Sequence, residues 1–154
     1  MLNILTGVPA DRQNDKSFVK RFIASDAPKI ICGSSTMKMF CRIQNITPKI
    51  KISFENNTTV AKYEIEGIYF ATEGIITLNN CYKVLIGEKN ESPDALKLAK
   101  ELLNFQTINF FVGTAQNKDS NTYKLFDLLP RKQIIEKIIL YLKQKNKTVN
   151  KLEI

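Results

Sequence analysis

Gly33, Ser34, Ser35 and Thr36 stand together in the stretch KIICGSSTMKMF, between an apolar run and a new apolar period at helical spacing. A glycine followed by three hydroxyls at a strand-to-helix turn suits two roles. Ser34 or Ser35 could cap the helix, since both residue types accept a hydrogen bond from a first-turn amide. Alternatively, the hydroxyls and the free amides of the helix start could hold a phosphate or carboxylate. The turn is not a P-loop, because the lysine and the four-residue spacing are missing, and it is not a G-x-G-x-x-G fingerprint. Thr72, Glu73 and Gly74 form a second turn, whose Glu73 is the single carboxylate in these turns. Glu73 could act as base or nucleophile, hold a ligand hydroxyl, or cap the helix after it. Gly7 ends a first apolar run, and Gly113-Thr114 ends a later one. Beyond them, Asn117 and Lys118 lie in a stretch of about 16 residues, long for a compact domain, and could close over a ligand.

The chain contains no histidine. That excludes Ser-His and Cys-His nucleophile pairs, HExxH zinc sites and a histidine general base. Cys32, Cys41 and Cys81 are odd in number, widely spaced and without a C-x-x-C. They read as buried small apolar residues, with no metal site among them. No paired carboxylates at a convincing spacing support hydrolase chemistry. The net charge of +8 concentrates toward the end, where residues 131–154 hold seven Lys/Arg and two Glu. Few aromatics interleave with those lysines, so the run reads as a solvated helix face rather than a nucleic-acid platform. No window approaches the 18 apolar residues of a membrane span, no signal-peptide pattern opens the chain, and the expected location is cytoplasmic.

The elements that position these turns alternate in type. Runs at 2–6, 29–32, 49–54, 67–71 and 107–112 read as strands, and TVNKLEI as a closing edge strand. ENNTTVA reads as a turn-rich excursion, YEIE as a short strand beyond it, and GIYFA as fully buried. Phe18, Val19, Phe22 and Ile23 mark one helix, capped by Asn14 or Asp15; Met37, Phe40 and Cys41 mark the next. Ser92, Pro93 and Asp94 form a strong helix start, with Leu96, Ala99, Leu102 and Leu103 as its buried stripe. The last helix is expected to bury Ile135, Ile138, Ile139 and Leu142. Continuous apolar strands between amphipathic helices predict one domain over residues 1–154. Its expected form is a Rossmann-like, three-layer α/β/α sandwich with a mainly parallel sheet of five or six strands. In such a sheet the glycine and hydroxyl turns all fall at the strand carboxyl ends, where ligands bind.

NILTGVPADRQNDKSFVKRFIAS, KIICGSST, EIEGIYFATEGIITL, ALKLAKELL, INFFVGTAQN and LPRKQIIEKI occur in this order. Together they resemble the carboxyl-terminal region of bacterial serine phosphatases similar to sporulation stage II protein E, of the metal-dependent PPM type. Two departures stand out. The family usually shows a second glycine and two threonines where this chain has Ser34, Ser35 and Thr36, and a histidine after the VGTA strand is absent. None of the six Asp residues precedes a glycine, so the Asp-Gly pairs of the phosphatase site are missing. The resemblance therefore implies an accessory or regulatory domain, not itself catalytic and without a cofactor of its own. Its expected partners are an N-terminal phosphatase domain, which would need Mn or Mg, and an anionic small molecule. Gly33, Ser34, Ser35, Thr36, Thr72, Glu73, Gly74, Gly113, Thr114 and Asn117 are the candidate ligand-binding residues. The alternatives are an enzyme acting on a phosphorylated or CoA-linked substrate through Glu73 and, less favoured, a basic nucleic-acid binder. A homodimer is left open.

Overall fold

The computed structural model describes residues 1–55, 58–116 and 124–154. The chain runs β1 (Leu2–Thr6), a 3-10 turn (Arg12–Asn14), α1 (Asp15–Ile23), β2 (Lys29–Cys32), α2 (Ser34–Gln44), β3 (Lys49–Glu55) and β4 (Thr58–Glu64). It continues through β5 (Phe70–Thr72), α3 (Ile75–Leu85), α4 (Pro93–Asn104), β6 (Thr107–Val112), α5 (Arg131–Gln144) and β7 (Thr148–Glu153). Five strands form one sheet in the order β5-β2-β1-β6-β7, and every pairing within it is parallel. The expected three-layer α/β/α arrangement is present.

Alternation along the strands divides the core in two. Leu2 and Ile4 of β1 face a layer built from α3, α4 and α5, with Leu78, Leu98, Leu102, Ile135 and Ile138 buried against them. Leu5 faces the other way, toward Phe18 and Phe22 of α1 and Met37 and Phe40 of α2. α1 and α2 therefore cover one face, and α3 to α5 the other. Phe22 anchors the smaller layer by edge-on contacts with Phe40 and Phe111, at 6.0 and 5.6 Å between centroids. Asp15, buried at the start of α1, pairs with Arg42 near the end of α2 and ties the two helices together.

Several expectations are corrected. KIKISF is not a strand of the main sheet, and ENNTTVA is not merely an excursion. β3 and β4 pair antiparallel as a separate hairpin, with Ile50 opposite Tyr63 and Ile52 opposite Ala61. Ile50, Ile52 and Phe54 alternate onto one face and stand 61%, 74% and 72% exposed, so their period reflects a hairpin face that the main core does not cover. GIYFA contributes only the short edge strand β5, with Phe70 and Ala71 half-buried. In α4 the buried stripe is Ala95, Leu98, Ala99 and Leu102, whereas Leu96 and Leu103 are exposed. In α5, Ile134 is buried with Ile135, Ile138 and Leu142, and Ile139 only packs against the edge of that cluster. The cap before α1 also moves. Asp11 accepts from the Gln13 amide to cap the 3-10 turn, while Asn14 makes no side-chain cap and Asp15 begins α1. The three cysteines are free and buried, as expected.

Candidate functional site

β1, β2, β5 and β6 all point the same way, so the turns that follow them meet at one edge. Gly33 is the N-cap of α2, at φ 121°, and no side chain caps that helix. Ser34 and Ser35 are therefore not caps. They are exposed first-turn residues whose hydroxyls border the free amides of the helix start. Thr36 is buried, and its Oγ1 accepts from the Gly7 amide at 2.8 Å, joining the turns after β1 and β2. The Gly33 amide donates to the Thr72 carbonyl at 2.8 Å, joining the turns after β2 and β5. The two glycines nearly touch: a methyl on Gly74 would lie 3.2 Å from the Gly33 Cα. Gly74 is itself the N-cap of α3, again without a side-chain cap. Thr72, barely accessible, donates to Thr77 Oγ1 at 2.7 Å and points into the helix start. Glu73 is exposed beside it and does not cap α3.

The sheet reverses its winding between β1 and β6, where an open α/β sheet usually has its crevice. Here main chain fills that place. The Gly113 amide donates to the Thr6 carbonyl at 2.9 Å and the Ala115 amide to the Val8 carbonyl at 3.0 Å, so the two loops stay paired beyond the strands. Only glycine fits at Gly113, since a methyl would come within 2.2 Å of the Val8 carbonyl carbon. Gly7, at φ 79°, leaves no more room: a methyl there would lie 2.5 Å from the Gly113 oxygen and 2.9 Å from Arg131 Nη1.

That last contact identifies a residue the sequence reading missed. Arg131, the first residue of α5, lays its guanidinium over Gly7 at the centre of the edge. Burial pushes the Cys32 thiol at the end of β2 up to about 12, Asp94 adds to the rise, and the Arg131 charge opposes it. The guanidinium field therefore reaches the β2 end as well as the β1 end. Burial also raises the Cys41 and Cys81 thiols, which leaves all three cysteines poor nucleophiles. In the sequence Arg131 is one cation in a basic run, and nothing local sets it apart.

Asn79 positions Arg131 from a distance. From within α3 it donates to the carbonyls of Ile75 and Leu129, at 2.9 and 3.0 Å, and accepts from the Leu129 amide at 2.9 Å. This buried clamp fixes the chain two residues before Arg131, and Pro130, the N-cap of α5, offers no capping side chain. Beside this helix start lies a cavity of about 820 Å3, lined by Ile75, Val112, Thr114, Leu129, Arg131 and Gln133 among others. Thr114 is exposed at that cavity, its amide bonded to the Ile154 carbonyl at 2.8 Å. A larger cavity of about 930 Å3 lies elsewhere, between the β3–β4 hairpin, β5 and the start of α4, and gathers none of these turns.

The edge thus brings together Gly33, Ser34, Ser35, Thr36, Thr72, Glu73, Gly74, Gly113 and Thr114, and adds Gly7 and Arg131. Asn117 and Lys118 lie outside the described residues. Among the described residues no three His, Cys, Asp or Glu side chains gather as a metal would require, and no helix is long and apolar enough to cross a membrane. Compared with protein-family models, curated proteins and solved structures, the chain matches none of them.

Proposed function

We propose that this chain is an accessory, anion-responsive domain, attached to or acting with a PPM-type serine phosphatase of the kind its sequence resembles. One observation carries the ligand part of this reading. Three helices, α2, α3 and α5, begin at the same strand edge without a capping side chain, and Arg131 lies among them. Each uncapped start presents free amides and the positive end of a helix dipole, and an arginine fork adds a charge shaped for phosphate or carboxylate. The exposed Ser34 and Ser35 hydroxyls add donors, while Thr36 and Thr72 hold the frame. Ligand binding would adjust a partner domain only by favouring one arrangement of the two.

Thermal unfolding against inorganic phosphate, nucleotides, sugar phosphates and CoA tests the reading. A ligand that binds only the folded chain adds roughly 2.7 kcal/mol at a hundredfold excess over its Kd, an easily read shift in Tm. The expected result is a shift with at least one of these anions that Arg131→Gln reduces. No shift with any of them would remove the anion from the reading. Glu73→Gln separates the enzyme alternative: turnover of a bound ligand that disappears in this variant would make the chain a catalyst.

A further inference from the structure

β7 ends the sheet, and among the described residues no strand covers its outer edge. The amides of Thr148 and Ile154 donate to the carbonyls of Gln106 and Val112, both at 3.0 Å, so the even-numbered main-chain groups face β6. By the two-residue period of a strand, Val149, Lys151 and Glu153 turn their amides and carbonyls outward. Such an edge is usually guarded by lysines that project from it. Here both candidates fold back onto their own chain. Lys147 Nζ donates to the Leu103 and Phe105 carbonyls, and Lys151 Nζ bonds Glu136 and Glu153. The edge is left open to another strand.

Two side-chain features flank it, one on each face of the sheet. On the α5 face, Ile139 and Leu140 share a groove of about 450 Å3 with Val149, and Leu140 stands 59% exposed. On the opposite face, three asparagines join across the strands. Asn109 donates to Asn3 Oδ1 and Asn150 to Asn109 Oδ1, each at 2.9 Å, while Asn3 donates to the Phe22 carbonyl at 3.1 Å. Asn150 ends this ladder in an exposed position, and its Oδ1 meets no donor among the described residues.

We propose that β7 is the contact edge of a two-fold dimer of this chain, pairing antiparallel with β7 of a second copy about an axis through Asn150. The occupant follows from self-complementarity. In this register Val149 stands opposite Lys151 of the second copy, both through outward main-chain groups, and Lys147 stands opposite Glu153, its opposite in charge. A shift of two residues either way would set lysine against lysine, and like charges directly opposite destabilise a strand pair. Asn150 then falls at a non-hydrogen-bonded position, where side chains come closest, and the two carboxamides can bond each other reciprocally. The ladder would run unbroken through both copies. An axis perpendicular to the sheet brings both α5 helices to one side, where the exposed Leu140 side chains cover each other in an isologous contact.

Sedimentation velocity of the whole chain over a concentration series tests this. The expected result is a reversible monomer–dimer equilibrium. Asn150→Asp sets two carboxylates on the axis and Leu140→Glu two at the helix contact, and each should weaken the dimer about tenfold or more. Circular dichroism checks the fold of both. Leu140 is exposed in the single chain, so its variant still decides if Asn150→Asp does not fold. A cysteine scan reads the register. Opposed residues at a non-hydrogen-bonded position lie about 4.5 Å apart between Cα atoms, within disulfide range. The three native cysteines are buried, so Asn150→Cys should give a covalent dimer with diamide, and Ile52→Cys on the exposed hairpin face should not. A chain that stays monomeric at millimolar concentration overturns the proposal. So does a dimer that both charge variants leave intact, or one that crosslinks through Ile52→Cys and not through Asn150→Cys.

Discussion

Thr36 commits its oxygen to the protein's own backbone, and this separates it from its two neighbours. Ser34 and Ser35 face outward, while Thr36 accepts from the Gly7 amide and holds the first two turns together. Thr36→Val keeps the shape but leaves that buried amide without an acceptor, which is expected to cost about 1–3 kcal/mol. Thr36→Ser should recover most of the loss, both read by urea unfolding. A valine variant as stable as the native chain would mean that the Gly7 amide is satisfied elsewhere. The sequence drew attention to the hydroxyl cluster, but three adjacent hydroxyls look alike until the helix phase is fixed. Arg131 was harder still. Its meaning depends on Gly7, 124 positions earlier, and only the packing of α5 against the β1 turn brings them together.

At the scale of elements, buried parallel strands were the most legible feature. Runs such as LNIL and KIIC have too many apolar residues for a half-solvated strand, so their burial followed directly, whereas INFFV, expected to be equally buried, alternates buried with half-buried positions. The start of α4 was equally clear, because Ser92, Pro93 and Asp94 are each favoured there, and Ser92 does accept from the Ala95 amide. Its face was not legible. Leu96, Leu98, Ala99, Leu102 and Leu103 exceed one stripe, so two helical phases fit the same letters, and tertiary contact selects Leu98 over Leu96. Leu98→Ala should therefore cost about 2–5 kcal/mol, as a buried leucine truncation does, and Leu96→Ala much less. Equal losses at both positions would contradict the observed phase. The hairpin was read as a sheet strand for a related reason: alternation reports one apolar face without saying what covers it. Pairing partners are non-local, and Ile50, Ile52 and Phe54 would show the same period in either setting.

For the whole molecule, the doubly wound order explains why the candidate residues share an edge. β1, β2 and β5 build the sheet outward on one side, and β6 and β7 on the other. Their turns are brought together although the residues span more than a hundred positions. The positive charge, by contrast, is partly structural. Lys147 donates to the carbonyls of Leu103 and Phe105, at 2.7 and 2.8 Å, and Lys151 bridges Glu136 and Glu153. These contacts account for part of the basic run without a nucleic-acid partner. The central claim is that the uncapped helix starts around Arg131 receive an anion. Its most direct test is a ¹H–¹⁵N titration of the labelled chain with inorganic phosphate, at constant ionic strength. The claim predicts saturable shifts confined to the first-turn amides of α5, to Gly7 and to the glycine turns beside it. Shifts scattered over surface lysines, or concentrated on the β3–β4 hairpin with the helix starts unmoved, would contradict it.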